Sequence, residues 1–400
     1  MRVIKSLLIM FFSFFLCLGL QSQKLPTAKA EEVDMSSVRL ARIRPLILEG
    51  IERWEYPGAV ILVGRRGKIV FREAFGYFQW KPEERQMRID HIFDMASITK
   101  PVATATAIMI LVERGKIRLW DKVNKYVPGF RVFEDAEGGS SEDARIWHLL
   151  THTSGLPPYT DAAEVAQIYG DPCSTRNLVK YIAQLKKTDP PGQAFHYSCL
   201  GYITMASIIE LITGQNVAEF TRKNIFSPIG MVNTFYNPPE KFRPRCVPTE
   251  LVGSRPLQGV VHDPLARLQG GVSGNAGLFS TVDDLAVFAQ MIINKGRFRG
   301  VRVLSPLTVE RMTEIYPRVD FAGRGLGWDL ESGYATNQGD LFGMDSVSHT
   351  GYTGTSLSID PETETFVIFL TNRVHPDDRG SVVSIRSRVA NVVAASIVKK

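Results

Sequence analysis

The sequence predicts an α+β protein whose antiparallel sheet is assembled from both ends of the chain. Runs rich in β-branched and aromatic residues occur at 58–65 and 68–77, and they return at 346–350, 355–360 and 365–372. Between them, apolar residues recur at helical spacing in segments separated by Pro and Gly. We therefore expect a sheet flanked by the first and last helices, an all-helical lobe, and a cleft between the two, where binding sites usually lie.

Local signals define the elements of the first part of the chain. A helix is predicted at 36–55, where Pro45 kinks or splits it, and Arg66-Gly67 is typical of the turn of a hairpin. A second helix is predicted from Ser97 to about residue 114, because Gly115 follows as a stop signal.

Later helices are expected at 175–186, 200–213, 282–294 and 380–398. This order predicts an α/β lobe formed by about 36–120 and 340–400. The helical lobe would occupy about 121–339.

The N-terminus has the features of a secretory leader. Two basic residues precede an apolar run at 6–20, and the sequence Ala28-Lys29-Ala30 provides a small-residue cleavage signal. We expect a signal peptide at 1–30 and a mature, secreted chain at 31–400, either periplasmic or extracellular and wall-associated. The apolar run is short for a membrane span, so membrane contact is expected only if the segment stays uncleaved as an anchor.

Composition excludes several classes of function. The formal charge of +6 falls to +2 once residues 1–30 are removed, because this segment carries four basic residues and no acid. No run of Lys or Arg indicates a nucleic-acid surface. The spacing of a metal site is also absent, since His148 and His152 lack the intervening Glu of a zincin, and neither a metal nor an organic cofactor is expected.

Three cysteines remain in the mature chain, namely Cys173, Cys199 and Cys246. An odd count gives no disulfide framework, so at most one bridge can form within the chain. Cys173 and Cys246 could form it, but the sequence does not decide whether they do.

The first motif that carries chemistry is Ser97-Ile98-Thr99-Lys100, at the start of an apolar helix. Three residues are just under one helical turn, so the hydroxyl and the ammonium can face the same way. A desolvated Lys beside Ser97 can hold a lowered pKa or stabilise a neighbouring oxyanion. The alternative is a helix cap followed by a surface lysine.

Two further motifs lie downstream. Tyr197-Ser198-Cys199 precedes a predicted helix, where the phenol could face the cleft and serve as a base if a lysine lowers its pKa. Ser348-His349-Thr350-Gly351-Tyr352 lies on a late strand that ends in glycine, so a substrate carbonyl could approach the backbone there. The structural alternative for the first of these motifs is aromatic packing under the helical lobe. For the second it is an ordinary glycine-containing turn between strands.

Together and in this order, the three motifs resemble those of the serine β-lactamase and D-alanyl-D-alanine peptidase superfamily. The Tyr197-Ser198 pair and the stretch 148–156, HLLTHTSGL, are similar to the class C β-lactamase branch and its related esterases and peptidases. The resemblance covers nearly all of the mature chain. It implies the β-lactamase/transpeptidase-like fold.

The resemblance also implies roles for individual residues. Ser97 would be the acylated nucleophile, Lys100 would assist its deprotonation, and Tyr197 would be the general base that later activates water. The backbone N–H groups of Ser97 and Tyr352 would form the oxyanion hole. His349, Thr350, Gly351 and Cys199 would contact the substrate.

Two positions depart from the pattern of that branch. His349 stands where a Lys usually begins the triplet, and Cys199 stands where Asn usually contacts the acyl side chain. Histidine is a weaker partner than lysine for a carboxylate near neutral pH, and a thiol is a poor substitute for an amide. These changes argue against an efficient β-lactamase and favour another ester or amide as substrate.

Three hypotheses follow. The leading one is a secreted serine hydrolase acting on a cell-wall peptide, as a D-Ala carboxypeptidase or a muropeptide amidase. The others are a carboxylesterase for small acyl esters and a non-catalytic penicillin-binding-like sensor. The glycine-rich segment 259–279 adds His262 and Asn275 as further candidates for substrate contact.

Overall fold

A computed structural model describes residues 24–400 and shows one six-stranded antiparallel sheet built from both ends of the chain. The strands, in spatial order, are Val347–Thr350, Ser356–Asp360, Thr365–Thr371, Gly58–Arg65, Lys68–Gln79 and Arg85–Gln86. The predicted fold class is therefore confirmed. At the hairpin turn Arg66 and Gly67 both have positive φ, 47° and 76°, as a tight turn between twisted strands requires.

The central strand Gly58–Arg65 is buried on both faces, so its alternating side chains enter two separate cores. Ala59, Ile61 and Val63 pack against helices Ile43–Glu52 and Val383–Ala395. Val60 and Leu62 enter the larger core on the opposite face, together with helix Val282–Ile293.

Helix Val282–Ile293 therefore contacts the sheet, although the predicted lobe boundaries assign it to the helical lobe. Its apolar residues are arranged to cover a sheet face, and periodicity alone cannot tell which partner such a helix packs on.

The α-helices of the described chain are Ser37–Leu40, Ile43–Glu52, Thr106–Glu113, Ile146–Leu150, Ala162–Tyr169, Thr175–Gln184, Cys199–Thr213, Val217–Thr221, Pro264–Leu268, Val282–Ile293, Pro306–Thr313 and Val383–Ala395. Shorter 3₁₀ or π turns and three small sheets of two or three strands connect them, including a small sheet of Phe93–Asp94, Leu278–Ser280 and Phe235–Tyr236. The predicted first helix is split, with the break at residues 41–42, before Pro45.

The helix that begins at the Ser97 motif is not regular. It starts as a 3₁₀ turn, Ala96–Ile98, continues as a π turn, Lys100–Ala105, and becomes an α-helix only at Thr106–Glu113. Changes of helical pitch of this kind are common at functional sites. Residues 96–113 are long and apolar enough to cross a membrane, but 83% of them lie inside the protein, as in a core helix.

Residues 24–30 pack against the rest of the protein. Leu25 is 5% exposed, and the backbone of Ala28 and Pro26 pairs with Ile69 at 2.9 and 2.8 Å. The predicted cleavage after Ala30 would remove these contacts, whereas residues 1–23, which contain the apolar run, lie outside the described residues.

We expect a chain that begins at Glu31 to be less stable than one that begins at Lys24. Loss of the buried Leu25 side chain and two backbone hydrogen bonds should lower the free energy of unfolding by about 2–5 kcal/mol. Urea denaturation of the two chains, with Leu25→Ala as an intermediate case, measures the difference. Equal stabilities would show that the segment contributes nothing and that cleavage after Ala30 costs the fold nothing.

Candidate active site

The predicted nucleophile Ser97 lies in a tight turn that a buried carboxylate supports. Asp94 ends a short strand, and its Oδ1 accepts a hydrogen bond from the N–H of Ala96 at 2.9 Å. Ala96 has a positive φ of 45°, which is uncommon for a residue with a side chain. The second oxygen of Asp94 accepts from the N–H of His262 at 2.7 Å, so one carboxylate joins the Ser97 turn to the glycine-rich segment.

Lys100 is wholly buried beside Ser97 and has an acceptor for each of its three protons. Its Nζ donates to Ser97 Oγ at 2.8 Å, to the carbonyl of Asn275 at 3.1 Å, and to Cys199 Sγ at 3.5 Å. Since an ammonium has three donors and no acceptor, this environment suits the charged form.

The charge of Lys100 refines its predicted role. Burial on its own would lower the pKa of the ammonium, but the negative charges that Cys199 and Tyr197 carry when deprotonated outweigh burial, and the pKa of Lys100 is raised. Of the two roles that the sequence allows for Lys100, this direction favours stabilisation of a neighbouring oxyanion over a lowered pKa. A lysine that stays charged cannot accept the Ser97 proton, but it can stabilise the alkoxide that remains when another base takes it.

Tyr197, which the sequence predicts as the base, lies beside this pair. It lies just before helix Cys199–Thr213, and its ring stacks on His152 at a centroid distance of 4.3 Å. Lys100 Nζ is 4.9 Å from the ring centroid. Burial raises the pKa of the phenol, although Lys100 and Ser97 each lower it, so the phenol is largely protonated near neutral pH.

The strand Val347–Thr350 leads into a loop that is fixed to the Ser97 turn. Thr353 Oγ1 donates to the Asp94 carbonyl at 2.8 Å, and Thr355 Oγ1 donates to the Met95 carbonyl at 3.1 Å. A side chain at Gly351 would come within 2.5 Å of the Met95 carbonyl, which explains the glycine at this position. The loop thus brings the backbone of Tyr352 beside the nucleophile turn.

His349 differs from its predicted role in substrate binding. The side chain is 1% exposed, so it lies beneath the cleft and does not line it. Its Nδ1 lies 2.9 Å from the Thr350 carbonyl and must carry the proton, because a carbonyl only accepts. Burial, together with the positive charges of Arg324 and Lys100, holds the pKa of His349 well below its usual range, so the ring is neutral and Nε2 is an acceptor.

The other candidates differ in where the structure places them. Cys199 is partly exposed at the first turn of its helix and contacts Lys100, as an active-site residue would. Asn275 is wholly buried, and its contribution is the backbone carbonyl that accepts from Lys100. His262 lies at the rim, where its ring stacks on the half-exposed Tyr352 at 5.6 Å. Thr350 is partly exposed.

Sequence reasoning missed a buried ion pair beneath the site. Arg324 and Asp329 form it, both essentially without solvent exposure, and the guanidinium lies 5.9 Å from the ring centroid of Tyr197. In the described part of the chain, the Nε and Nη2 of Arg324 have no protein partner. The sequence Gly323-Arg324-Gly325 offers no signal for such a pair, since a glycine-flanked Arg usually indicates a solvated loop.

The cysteines of the described chain are free. Cys173 and Cys246 are buried, and no bridge joins them, so the possible disulfide that the sequence left open is not formed.

A serine hydroxyl held by a buried lysine ammonium, with a tyrosine beside both and a backbone loop fixed opposite, is typical of the site of a serine hydrolase. The family model named Beta-lactamase matches residues 46–390. The chain belongs to this family, within the serine β-lactamase and penicillin-binding-protein superfamily.

Relatives of similar length support this assignment. The chain is 31% identical over 377 residues to the N-acetylmuramyl-L-alanine amidase of Bacillus subtilis strain 168, covering 86% of this chain and 83% of the relative. It is 32% identical over 384 residues to a Salmonella paratyphi B protein that bears the name D-alanyl-D-alanine carboxypeptidase, covering 88% and 86%.

Solved structures share the fold at lower identity. The hydrolase EstCE1 matches with a TM-score of 0.72 and 20% identity, over 89% of this chain and 99% of that one. A family VIII carboxylesterase matches with a TM-score of 0.66 and 19% identity, over 90% and 98%.

We expect Ser97→Ala to abolish acylation and turnover while the protein stays folded, because the variant loses one hydrogen bond to Lys100 and the Asn275 carbonyl and Cys199 still accept from the ammonium. Turnover of a p-nitrophenyl ester and labelling by a fluorophosphonate should both fall below about a hundredth of the wild-type rate. The melting temperature, measured as the control, should stay close to that of the wild type. Residual turnover above this level in a folded variant would exclude Ser97 as the nucleophile.

We expect kcat/KM to rise with pH through the neutral range, because the base must lose its proton and the raised pKa of Tyr197 leaves it mostly protonated there. The limiting slope should be about tenfold per pH unit. In Lys100→Met the rise should move to higher pH, because the cation that lowers the pKa of Tyr197 is gone. Lys116→Met, at an exposed position, serves as the control. A pH profile of kcat/KM that is flat in the wild type, or that does not move in Lys100→Met, would contradict the assignment of Tyr197 as the base.

Proposed function

We propose that the protein is a secreted amidase that cleaves a cell-wall muropeptide through an acyl-enzyme at Ser97. The observation that carries the proposal is the contact of 2.8 Å between Ser97 Oγ and the buried ammonium of Lys100. The leader-like N-terminus supports secretion, and the two relatives with cell-wall names support the substrate class.

Acylation would use the site as follows. The deprotonated phenol of Tyr197 takes the Ser97 proton, and the alkoxide attacks the substrate carbonyl while Lys100 offsets its charge. The carbonyl electrons move to the oxygen, which the N–H groups of Ser97 and Tyr352 bind. When the intermediate collapses, the C–N bond breaks and the leaving amine takes the proton from Tyr197, which leaves an ester on Ser97.

Deacylation would reverse the roles of the same groups. Tyr197 takes a proton from water, the hydroxide attacks the ester, and the second oxyanion uses the same two N–H groups. Collapse returns the proton to Ser97 Oγ and releases the acid. Lys100 stays an ammonium in both half-reactions, so the site needs only one group that changes protonation.

The neutral His349 bears on the choice between the two cell-wall substrates. A D-Ala-D-Ala terminus presents a carboxylate one residue beyond the scissile bond, whereas the amide between a muramyl acid and L-alanine need not. His349 is buried and neutral where a lysine would present a charge, and Arg324 is wholly buried and paired with Asp329, so neither presents a cation to the cleft. The site therefore favours an amide without a neighbouring carboxylate.

A carboxylesterase is the second candidate, and Cys199 is the observation that favours it. Its thiol stands beside Lys100 where an amide side chain would recognise a peptide-like acyl group. A weak hydrogen-bonding group at that position relaxes the requirement for an amide in the acyl part, which suits small esters.

We expect N-acetylmuramyl-L-alanyl peptides to be hydrolysed at the muramyl–alanine bond. A matched pair of peptides ending in D-Ala-D-Ala, one a free acid and one a C-terminal amide, should react at similar rates, because no accessible cation selects the acid. A site built for the carboxylate would favour the acid by about 10- to 100-fold. Mass spectrometry of the products measures the hydrolysis of all three substrates, and the Ser97→Ala variant gives the background rate.

A tenfold or larger preference for the free acid would indicate a D-Ala carboxypeptidase. Rapid turnover of short-chain p-nitrophenyl esters with no product from any of the peptides would indicate the carboxylesterase.

A further inference from the structure

An arginine without an acidic partner is buried behind the loop that follows His349. Arg386, on the last helix, is 8% exposed, and its Nη2 donates to the carbonyls of Gly351 at 3.0 Å and Thr355 at 2.8 Å. Within residues 24–400 it forms no salt bridge, and its Nε has no protein partner there. Burying an uncompensated cation is costly, so this position needs an explanation other than packing.

The geometry of the peptide unit supplies one. The Gly351 carbonyl and the Tyr352 N–H belong to the same planar trans peptide, so they point in opposite directions. Because Arg386 draws the carbonyl towards the last helix, the N–H of Tyr352 must point away from that helix. The Ser97 turn lies on the other side of the loop, where Thr353 and Thr355 bind it.

A second arginine holds the next peptide. Arg373 Nε donates to the Tyr352 carbonyl at 2.9 Å, but its own charge is paired with Asp378 at 2.6 Å. The Tyr352 hydroxyl also donates to Asp378, at 2.7 Å. The loop is thus held from behind by two guanidinium groups, of which only that of Arg386 keeps an uncompensated charge.

We propose that Arg386 is a positioning residue that orients the Tyr352 N–H as an oxyanion donor and polarises its peptide. The cation faces the negative end of the peptide dipole, so the positive end faces the developing oxyanion. The inference rests on the proposed acyl transfer at Ser97, and it extends that proposal to a residue almost 300 positions away in sequence.

The test compares Arg386→Met with Arg388→Met. Arg388 lies two residues further along the same helix, is partly exposed and pairs with Glu49 at 2.8 Å, so it controls for loss of an arginine from this helix. Arg386→Met should lower kcat by about 10- to 100-fold, less than the full loss of a donor, with KM nearly unchanged. Arg388→Met should leave both constants unchanged.

A transition-state readout separates positioning from general destabilisation. A boronic acid that forms a tetrahedral adduct on Ser97 should lose affinity for Arg386→Met by the same factor as kcat. Arg386→Lys, which keeps a cationic donor, should give values between those of Arg386→Met and wild type. If Arg386→Met shows no cooperative melting, Arg386→Gln replaces it under the same criteria.

Two results would overturn the role of Arg386. One is an unchanged kcat in folded Arg386→Met or Arg386→Gln. The other is a fall in kcat/KM that comes only from a higher KM, while the boronic acid binds as it does to the wild type. Failure of the proposed function is recognised separately. Turnover that survives Ser97→Ala would exclude acyl transfer at this serine, whatever the Arg386 variants do.

Discussion

The placement of one ammonium group determines the rest of the site. Lys100 has no solvent exposure, so its charge persists only because Ser97, Asn275 and Cys199 each accept one of its protons. These acceptors come from three separate parts of the chain. The helix carrying Lys100, the helix that begins at Cys199 and the glycine-rich segment must therefore come together before the site can hold the charge, and once together they fix the serine hydroxyl.

Charge is distributed around this group so that only one residue needs to titrate. Burial keeps His349 neutral, and it likewise holds the pKa of His152, which stacks under Tyr197, well below its usual range. Additional protonated imidazoles here would oppose the Lys100 ammonium. In the proposed mechanism, Tyr197 is the group that takes up and releases the proton. Burial raises the pKa of its phenol, and Lys100 lowers it. The same neutrality of His349 is the basis on which we propose a substrate without a neighbouring carboxylate.

The fold could be predicted because its signals are local. Alternating and continuous apolar runs identify the strands, Arg66-Gly67 identifies a hairpin turn, and the order of elements identifies a sheet closed by both chain ends. The spacing of Ser97 and Lys100 similarly predicts that they meet.

The charge states of the site residues could not be predicted, because they depend on contacts between distant segments. The raised pKa of Lys100 arises from Cys199 and Tyr197, which are about a hundred residues away in sequence. The pKa of His349 is lowered by burial, and the sequence of its own strand does not indicate that burial. Arg386 and Arg324 are missed for the same reason, since a basic residue in a sequence is by default a solvated one.

The most direct test of the account is the charge of Lys100 itself. Protein labelled with ¹⁵N lysine, compared with Lys100→Met to assign the signal, allows the Nζ resonance to be followed from pH 6 to about pH 10 by NMR. The account predicts an ammonium signal that persists unchanged through neutral pH, because all three protons are bound and the pKa is raised. A signal that converts to the neutral amine at or below about pH 7 would make Lys100 the base that deprotonates Ser97, and would contradict the role assigned to Tyr197.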